Sequence, residues 1–495
     1  MGWSGGESSP QAGYVALPTT TDKIDAFRLS GKRGLNFGPL TDIELGANYT
    51  ERTKTHTANE GRLVIKDSVD LTTGATLSPY AAKDAPSPGV AIAGTTGLKV
   101  IAWSPIGSLG TIYDLPPKVD KDILNKSWDV KEEVTTAYVR SSLDTKLFGF
   151  DARGNVGVQF VNTDQSGAGY FVDEKTCTGN TPATCPSTRI SSGTSYTDIL
   201  PSLNVALDVG NDSVVRLGLG RTMSRPSMAD MRGSITFSLN STASGGPRYE
   251  GSSGNPFLEP FRANVFDLSY EKYFGTKGYV SVAGFYKDLV TYVYKQSSAL
   301  DFSKYGVTLP TGVSPIGLFT KPANGSGGSV SGVELAVSVP FGLVFAPADG
   351  FGVQFNYSYT DSAVAIPLAG LNVIDAPGSI NLPLPGLSRH SANLRFYYEK
   401  HGFQFSVANR YRSSFLGEIS DFQDNRQLTF VKGESTVDLQ LAYEIQSGPA
   451  KGLTVMFQGN NLTKTAFQRY RPDTGAVVEN VPTGKTYLLG LNYKL

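Results

Sequence analysis

Residues Thr486–Leu495 read TYLLGLNYKL. Tyr487, Leu489, Leu491, Tyr493 and Leu495 take every second place, with Leu488, Gly490, Asn492 and Lys494 between them. Successive side chains of an extended strand point to opposite faces, so the first set makes one apolar face. The pattern recurs upstream. In FGVQFNYSYT, Phe351, Val353, Phe355, Tyr357 and Tyr359 alternate with Gly352, Gln354, Asn356, Ser358 and Thr360. SANLRFYYEK, HGFQFSVANRYR, STVDLQLAYE, LTVMFQGNNL, SVVRLGLGRT, PSLNVALDVG and VFDLSYEKYF repeat it. About fifteen such segments, most near the length at which a tilted strand crosses hydrocarbon, make the chain all-β.

The opposite faces carry Gln404, Ser406, Ala408 and Arg410, or Asp438, Gln440 and Glu444, too polar for a dry interior. One strand alone fits a sandwich equally well; the number and length of the strands favour an antiparallel transmembrane barrel with a polar lumen. The connections sharpen this. Tight Gly/Pro/Asp turns fall at Gly38–Asp42, Val209–Asp212, Phe274–Gly278, Glu399–Gly402 and Ser447–Gly452. Between them lie long polar stretches, read as loops: Thr55–Asn125, Ser166–Gly193, Met223–Asn255, Lys295–Ser329, Asp361–Leu387 and Ser413–Gly433. Short turns on one rim and long loops on the other is the arrangement of outer-membrane barrels, with the short turns periplasmic. Tyr270, Tyr273 and Phe274 beside a short turn, and Tyr292 and Tyr294 near an outer end, are candidate interface aromatics.

Composition agrees. Lys plus Arg and Asp plus Glu both number 44, so no whole-chain field points to nucleic acid. No run approaches the roughly 18 apolar residues of a membrane-crossing helix, and a mean hydropathy of -0.16 suits a barrel whose faces alternate. The start, MGWSGGESSPQAGYV, has no signal-peptide pattern, so the chain is either not exported or begins elsewhere. Residues 1–22 are read as an irregular segment and 23–495 as barrel. Cys177 and Cys185 share a Gly/Pro/Thr-rich loop, a spacing that suits a local disulfide and an oxidising compartment; two free thiols are the alternative.

Strand parity adds a constraint. If Thr486–Leu495 descends toward the short-turn rim, counting back makes the first strand, Lys23–Asn36, descend too. About fifteen strands beginning and ending downward cannot close an antiparallel barrel, and an unpaired edge in lipid costs several kcal/mol per unsatisfied group. The sequence therefore reads as the C-terminal part of a larger barrel.

Several segments resemble the barrel of TonB-dependent outer-membrane receptors, particularly a group that includes oligosaccharide importers. They are VVRLGLGRTMSRPSMADMR (Val214–Arg232), NPFLEPFRANVFDLSYEKYF (Asn255–Phe274), the following GYVSVAGFYKDLVTYV, SGVELAVSV (Ser331–Val339), GNNLTKT (Gly459–Thr465) and the closing strand. The resemblance implies a 22-stranded barrel with an N-terminal plug and a TonB box. Plug and box, with about seven strands, lie outside this sequence. It also implies that Tyr487, Leu489, Leu491, Tyr493 and Leu495 form the signal read by the barrel-assembly machinery, although Leu495 stands where such barrels end in Phe or Trp.

No enzyme chemistry is legible. His56, His390 and His401 are scattered without metal-ligand spacing, no G-x-S-x-G elbow occurs, and PTGKT (Pro482–Thr486) has Glu479 where a phosphate loop needs glycine. No cofactor or metal is expected. Glu132 and Glu133 are adjacent on a strand, point to opposite faces, and so do not converge; both are read as solvating a strand entrance. The resemblance implies energised import of a bulky ligand through TonB, oligosaccharide slightly ahead of ferric siderophore. Partners are outer-membrane lipid, the TonB complex and the assembly machinery. Candidate ligand contacts are Trp103, Tyr113 and Trp128 by the longest loop, Arg225 and Arg232 after RTMSRPSM, and Arg410 and Arg412 near an outer rim, since rings stack on sugars and cations bind anionic chelates. The rivals are a passive porin-like channel, a secreted soluble β-rich glycan-binding protein, and a non-functional remnant.

Overall fold

A computed structural model describes residues 13–66, 90–93, 99–102, 109–111, 113–115, 121–172, 186–243, 246–275, 277–305, 307–367, 379–422 and 425–493. Fifteen strands form the wall of a barrel, numbered here in chain order. They are β1 (Thr19–Phe37), β2 (Leu40–Thr57), β3 (Trp128–Leu147), β4 (Phe150–Val172), β5 (Ser187–Gly210), β6 (Ser213–Ser224), β7 (Phe261–Phe274) and β8 (Gly278–Asp301). Then follow β9 (Gly328–Pro340), β10 (Phe351–Pro367), β11 (His390–Lys400), β12 (Phe403–Arg412), β13 (Glu434–Glu444), β14 (Leu453–Asn460) and β15 (Thr486–Tyr493). Each pairs antiparallel with the next, without interruption. Fifteen antiparallel strands leave β1 and β15 running the same way, and no pairing between them occurs among the described residues.

The register sorts every side chain to a face. Opposed residues share a face, so Tyr487, Leu489 and Leu491 sit beside Gly459, Phe457 and Val455 on the outside. Leu441 and Phe405 continue that face, whereas Gln458, Gln440 and Ser406 point into the lumen. Leu489, Leu491, Phe27 and Leu29, on or near the two free edges, are each at least two-thirds exposed. Alternate β-branched and aromatic residues favour the pleat, and together they leave an exposed apolar face larger than a monomer in water ordinarily carries.

The first strand begins at Thr19 rather than Lys23, because Thr19–Asp22 pair with Lys54–Thr57, and Gly13–Ala16 forms a short strand against Glu60–Leu63. The described part of 1–22 is thus strand rather than irregular chain. The long polar stretches are also more regular than expected. β4 runs to Val172, β5 starts at Ser187, and the stretch Ser413–Gly433 holds strands Phe415–Phe422 and Asn425–Val431. These extensions stand clear of the apolar belt, with polar residues on both faces, so they carry no period-two signal. Cys177 and Cys185 lie outside the described residues.

The short rim is made of turns such as Phe148–Gly149, Asn211–Asp212 and His401–Gly402, all with positive φ. Of the proposed interface aromatics, Tyr270 and Phe274 do point outward, whereas Tyr273 is opposed to Tyr279 on the lumen face. Tyr292 is 1% exposed; its hydroxyl donates to Ala365 O and it packs with Val364, which makes it a core residue.

Candidate functional site

The segment between β6 and β7 turns inward. Gly167 and Gly169 face the lumen by register with Val130 and Trp128, and a Cβ on Gly167 would lie 1.9 Å from Met231 O. The missing side chains let the 225–260 segment lie flat on the wall. Met228 and Met231, on a 3-10 turn, pack with Val130 and Leu258, and Trp128 closes this cluster while stacking on His56 at 5.6 Å. Gln165, 1% exposed, donates through Nε2 to Pro256 O (2.9 Å) and Leu258 O (2.6 Å). Arg262 closes the segment on Asp198 of β5.

This fixes several sequence-predicted residues. Arg225 Nε stands 3.8 Å from Glu132 Oε2, and Glu132 is 3% exposed. Arg232 donates to Ala229 O at 3.1 Å, and burial lowers the basicity of its guanidinium. Trp128 and Arg225 therefore tie the inward segment to the wall, and Arg232 braces the segment from within. Glu132 and Glu133 do diverge: Glu133 accepts from Tyr49 Oη (3.1 Å) and Lys131 Nζ (3.0 Å). Glu132, however, is buried under the loop rather than solvated. Tyr113 belongs to a short pairing with Ile65. Trp103 lies outside the described residues.

Arg410 and Arg412 meet in a different place, a lumen cavity of 680 Å³. Around them stand Lys287, Glu334, Ser358, Thr360, Asn393 and Glu434. Arg410 Nη2 is 2.6 Å from Asp438 Oδ2. Arg412 donates to Ser388 Oγ at 3.2 Å and lies 3.9 Å over the Phe415 ring; Lys287 Nζ lies 5.6 Å from the Phe285 ring centre. Among the described residues neither Lys287 nor Arg412 has a carboxylate within ion-pair distance. Below this cavity, toward the short rim, a second of 600 Å³ is lined by Arg153, Asn155, Arg216, Asp267 and Ser269. Phe285 and Glu334 line both. Together they make one polar track down the lumen face of β8 and β9, basic at its upper end. Lys287 was missed in the sequence, although its alternation with Tyr286 in GFYKDLV marks it as lumen-facing.

A family model described as TonB dependent receptor-like, beta-barrel, matches residues 3–462. The chain belongs to the TonB-dependent receptor family. Solved TonB-dependent receptors share the fold. The ferric-catecholate import receptor Fiu from E. coli K12 aligns at a TM-score of 0.53 and 14% identity, over 96% of this chain and 55% of that one. The hemophore receptor HasR of Serratia marcescens, in complex with its hemophore HasA and heme, gives 0.53 and 12%, over 97% and 60%. The siderophore receptor PiuA from Acinetobacter baumannii gives 0.51 and 12%, over 97% and 56%. The chain thus spans little more than half the length of these TonB-dependent receptors. No curated protein matches it.

Proposed function

We propose that this chain is the wall of an outer-membrane receptor of a Gram-negative bacterium, which imports a bulky anionic nutrient with energy delivered through TonB. The observation that carries the reading is the lumen track, where Lys287 and Arg412 face a cavity with no carboxylate within ion-pair distance among the described residues. Cations poised this way bind carboxylate or catecholate oxygens with charge-assisted hydrogen bonds. The basic lining favours an anionic chelate over the neutral oligosaccharide suggested by the sequence resemblance. The solved receptors for ferric catecholate and siderophore ligands are consistent with that choice.

The outward apolar face supports a lipid setting over a soluble glycan-binding protein. Because β1 and β15 run the same way, closure of the wall calls for an odd number of further strands; about seven would give a barrel of 22. The plug, the TonB box and those strands would come from polypeptide beyond this sequence, and the signal for the assembly machinery from Tyr487, Leu489, Leu491, Tyr493 and Leu495.

The test is equilibrium binding to the chain in detergent, comparing a ferric tricarboxylate, a ferric catecholate and an uncharged maltodextrin. The expected result is retention of an anionic chelate by the wild type and its loss in Lys287→Glu/Arg412→Glu. Preferential binding of the maltodextrin, unaffected by those substitutions, would refute the ligand assignment.

A further inference from the structure

The sheet above the last wall strands continues them. Phe415–Phe422, Asn425–Val431, Phe467–Tyr470 and Val477–Val481 pair in that order, which repeats the order β12, β13, β14, β15. The strands break at Ser413–Ser414 and Lys432–Gly433. At this break opens a cavity of 630 Å³, lined among others by Tyr411, Ser435, Lys432, Gln468 and Tyr470. Tyr411 and Ser435 are opposed across β12 and β13, on the face that carries Val437, Leu439 and Leu441 lower down. The cavity therefore opens on the outer face, directly above the apolar belt, and meets the upper lumen cavity only across the wall, at Tyr411 and Glu434.

Its chemistry is unlike that belt. Two tyrosine rings, the hydroxyls of Ser413, Ser414 and Ser435, and the Gln468 amide suit a polyhydroxylated ring, which stacks on aromatic faces and exchanges hydrogen bonds at its edge. Lys432 donates to Gln468 Oε1 at 3.1 Å and has no carboxylate within ion-pair distance among the described residues, so its ammonium can take an anionic oxygen. Glu434 also lines the space and disfavours a ligand of high negative charge. A saccharide with one phosphate near Lys432 meets these demands. Continuity with the lipid-facing belt selects its source, because acyl chains below such a headgroup would run down past Val437 and Leu439.

We propose that this outward cavity binds the phosphorylated saccharide headgroup of an outer-leaflet glycolipid. The proposal rests on the membrane setting given above but not on any transported ligand. It is tested by native mass spectrometry of the full chain in mixed micelles, offered a short-chain lipopolysaccharide, its deacylated headgroup, or phosphatidylglycerol. Wild type is expected to hold the glycolipid at least tenfold better than either alternative. Lys432→Glu and Tyr470→Ala should each weaken it at least tenfold, while Lys272→Glu on the opposite rim leaves it unchanged. Heat-modifiable migration on a gel checks that every variant is folded, and two variants guard against the loss of one. Equal binding of the deacylated headgroup, equal binding of phosphatidylglycerol, or retention by both variants would overturn the glycolipid site while leaving the barrel reading intact. Failure of the wild type to enter micelles at all would overturn both.

Discussion

Arg262 holds Asp198 through two parallel hydrogen bonds, Nε to Oδ1 at 2.5 Å and Nη2 to Oδ2 at 3.2 Å, with both side chains more than nine-tenths buried. The pair ties the end of the inward segment to β5. Removing one partner of a buried pair leaves an uncompensated charge. Arg262→Ala, which leaves the buried Asp198 carboxylate without its cation, should therefore cost about 3 kcal/mol, seen as faster hydrogen exchange across 225–260 with the wall amides unchanged. Unaltered exchange there would show that the hydrophobic cluster alone fixes the segment.

Gly167 makes a steric prediction. A methyl group there meets Met231 O at 1.9 Å and Pro256 Cγ at 3.0 Å, whereas one on Gly31 meets nothing within 4 Å. Gly167→Ala should lower stability by about 1–3 kcal/mol and speed proteolysis of the inward segment, as overpacking does. Gly31→Ala should stay within about 0.5 kcal/mol of wild type.

The two faces of β13 should respond oppositely to one substitution. Leu441 is opposed to Phe405 and Phe457 outside, and Gln440 to Ser406 and Gln458 inside. Leu441→Arg should destabilise the chain in bilayers by about 2–4 kcal/mol. Gln440→Arg should cost less than about 0.5 kcal/mol. Urea titration in lipid vesicles measures both.

At the short rim, Lys400 Nζ lies 3.1 Å from Asp349 Oδ2 and holds that carboxyl below its ordinary 3.8. A depressed folded-state value stabilises above the unfolded one and loses that contribution as pH falls below 3.8 through the folded value. Asp349→Asn should flatten the low-pH limb of the stability curve and leave neutral-pH stability almost unchanged, since the pair is exposed.

The wall was legible because an apolar outer face and a polar lumen face impose a strict period of two, as in Phe351–Thr360 and Thr486–Tyr493. Strand parity was legible for the same reason, since each short turn reverses the chain. The extensions were not, because Phe415–Phe422 and Asn425–Val431 carry polar residues on both faces and so show no period of two. Site residues divided along the same line. Arg410 and Arg412 could be placed on one strand from their spacing with Gln404 and Ser406. Their meeting with Lys287 depends on the curvature that brings β8, β10, β11 and β12 around one cavity. Arg225, Arg232 and Trp128 pack with the inward segment because two lumen glycines, Gly167 and Gly169, admit the segment between β6 and β7, a long-range fit that no local pattern announces.

The most direct test of the account is the lipid contact of the outer face. In a background lacking both native cysteines, spin labels placed singly from Val437 to Tyr443 in lipid vesicles should alternate. Positions 437, 439, 441 and 443 should be relaxed by dissolved oxygen, and 438, 440 and 442 by a water-soluble nickel chelate. Uniform accessibility to the nickel chelate along the whole strand, or a cooperatively folded monomer in plain buffer, would contradict it.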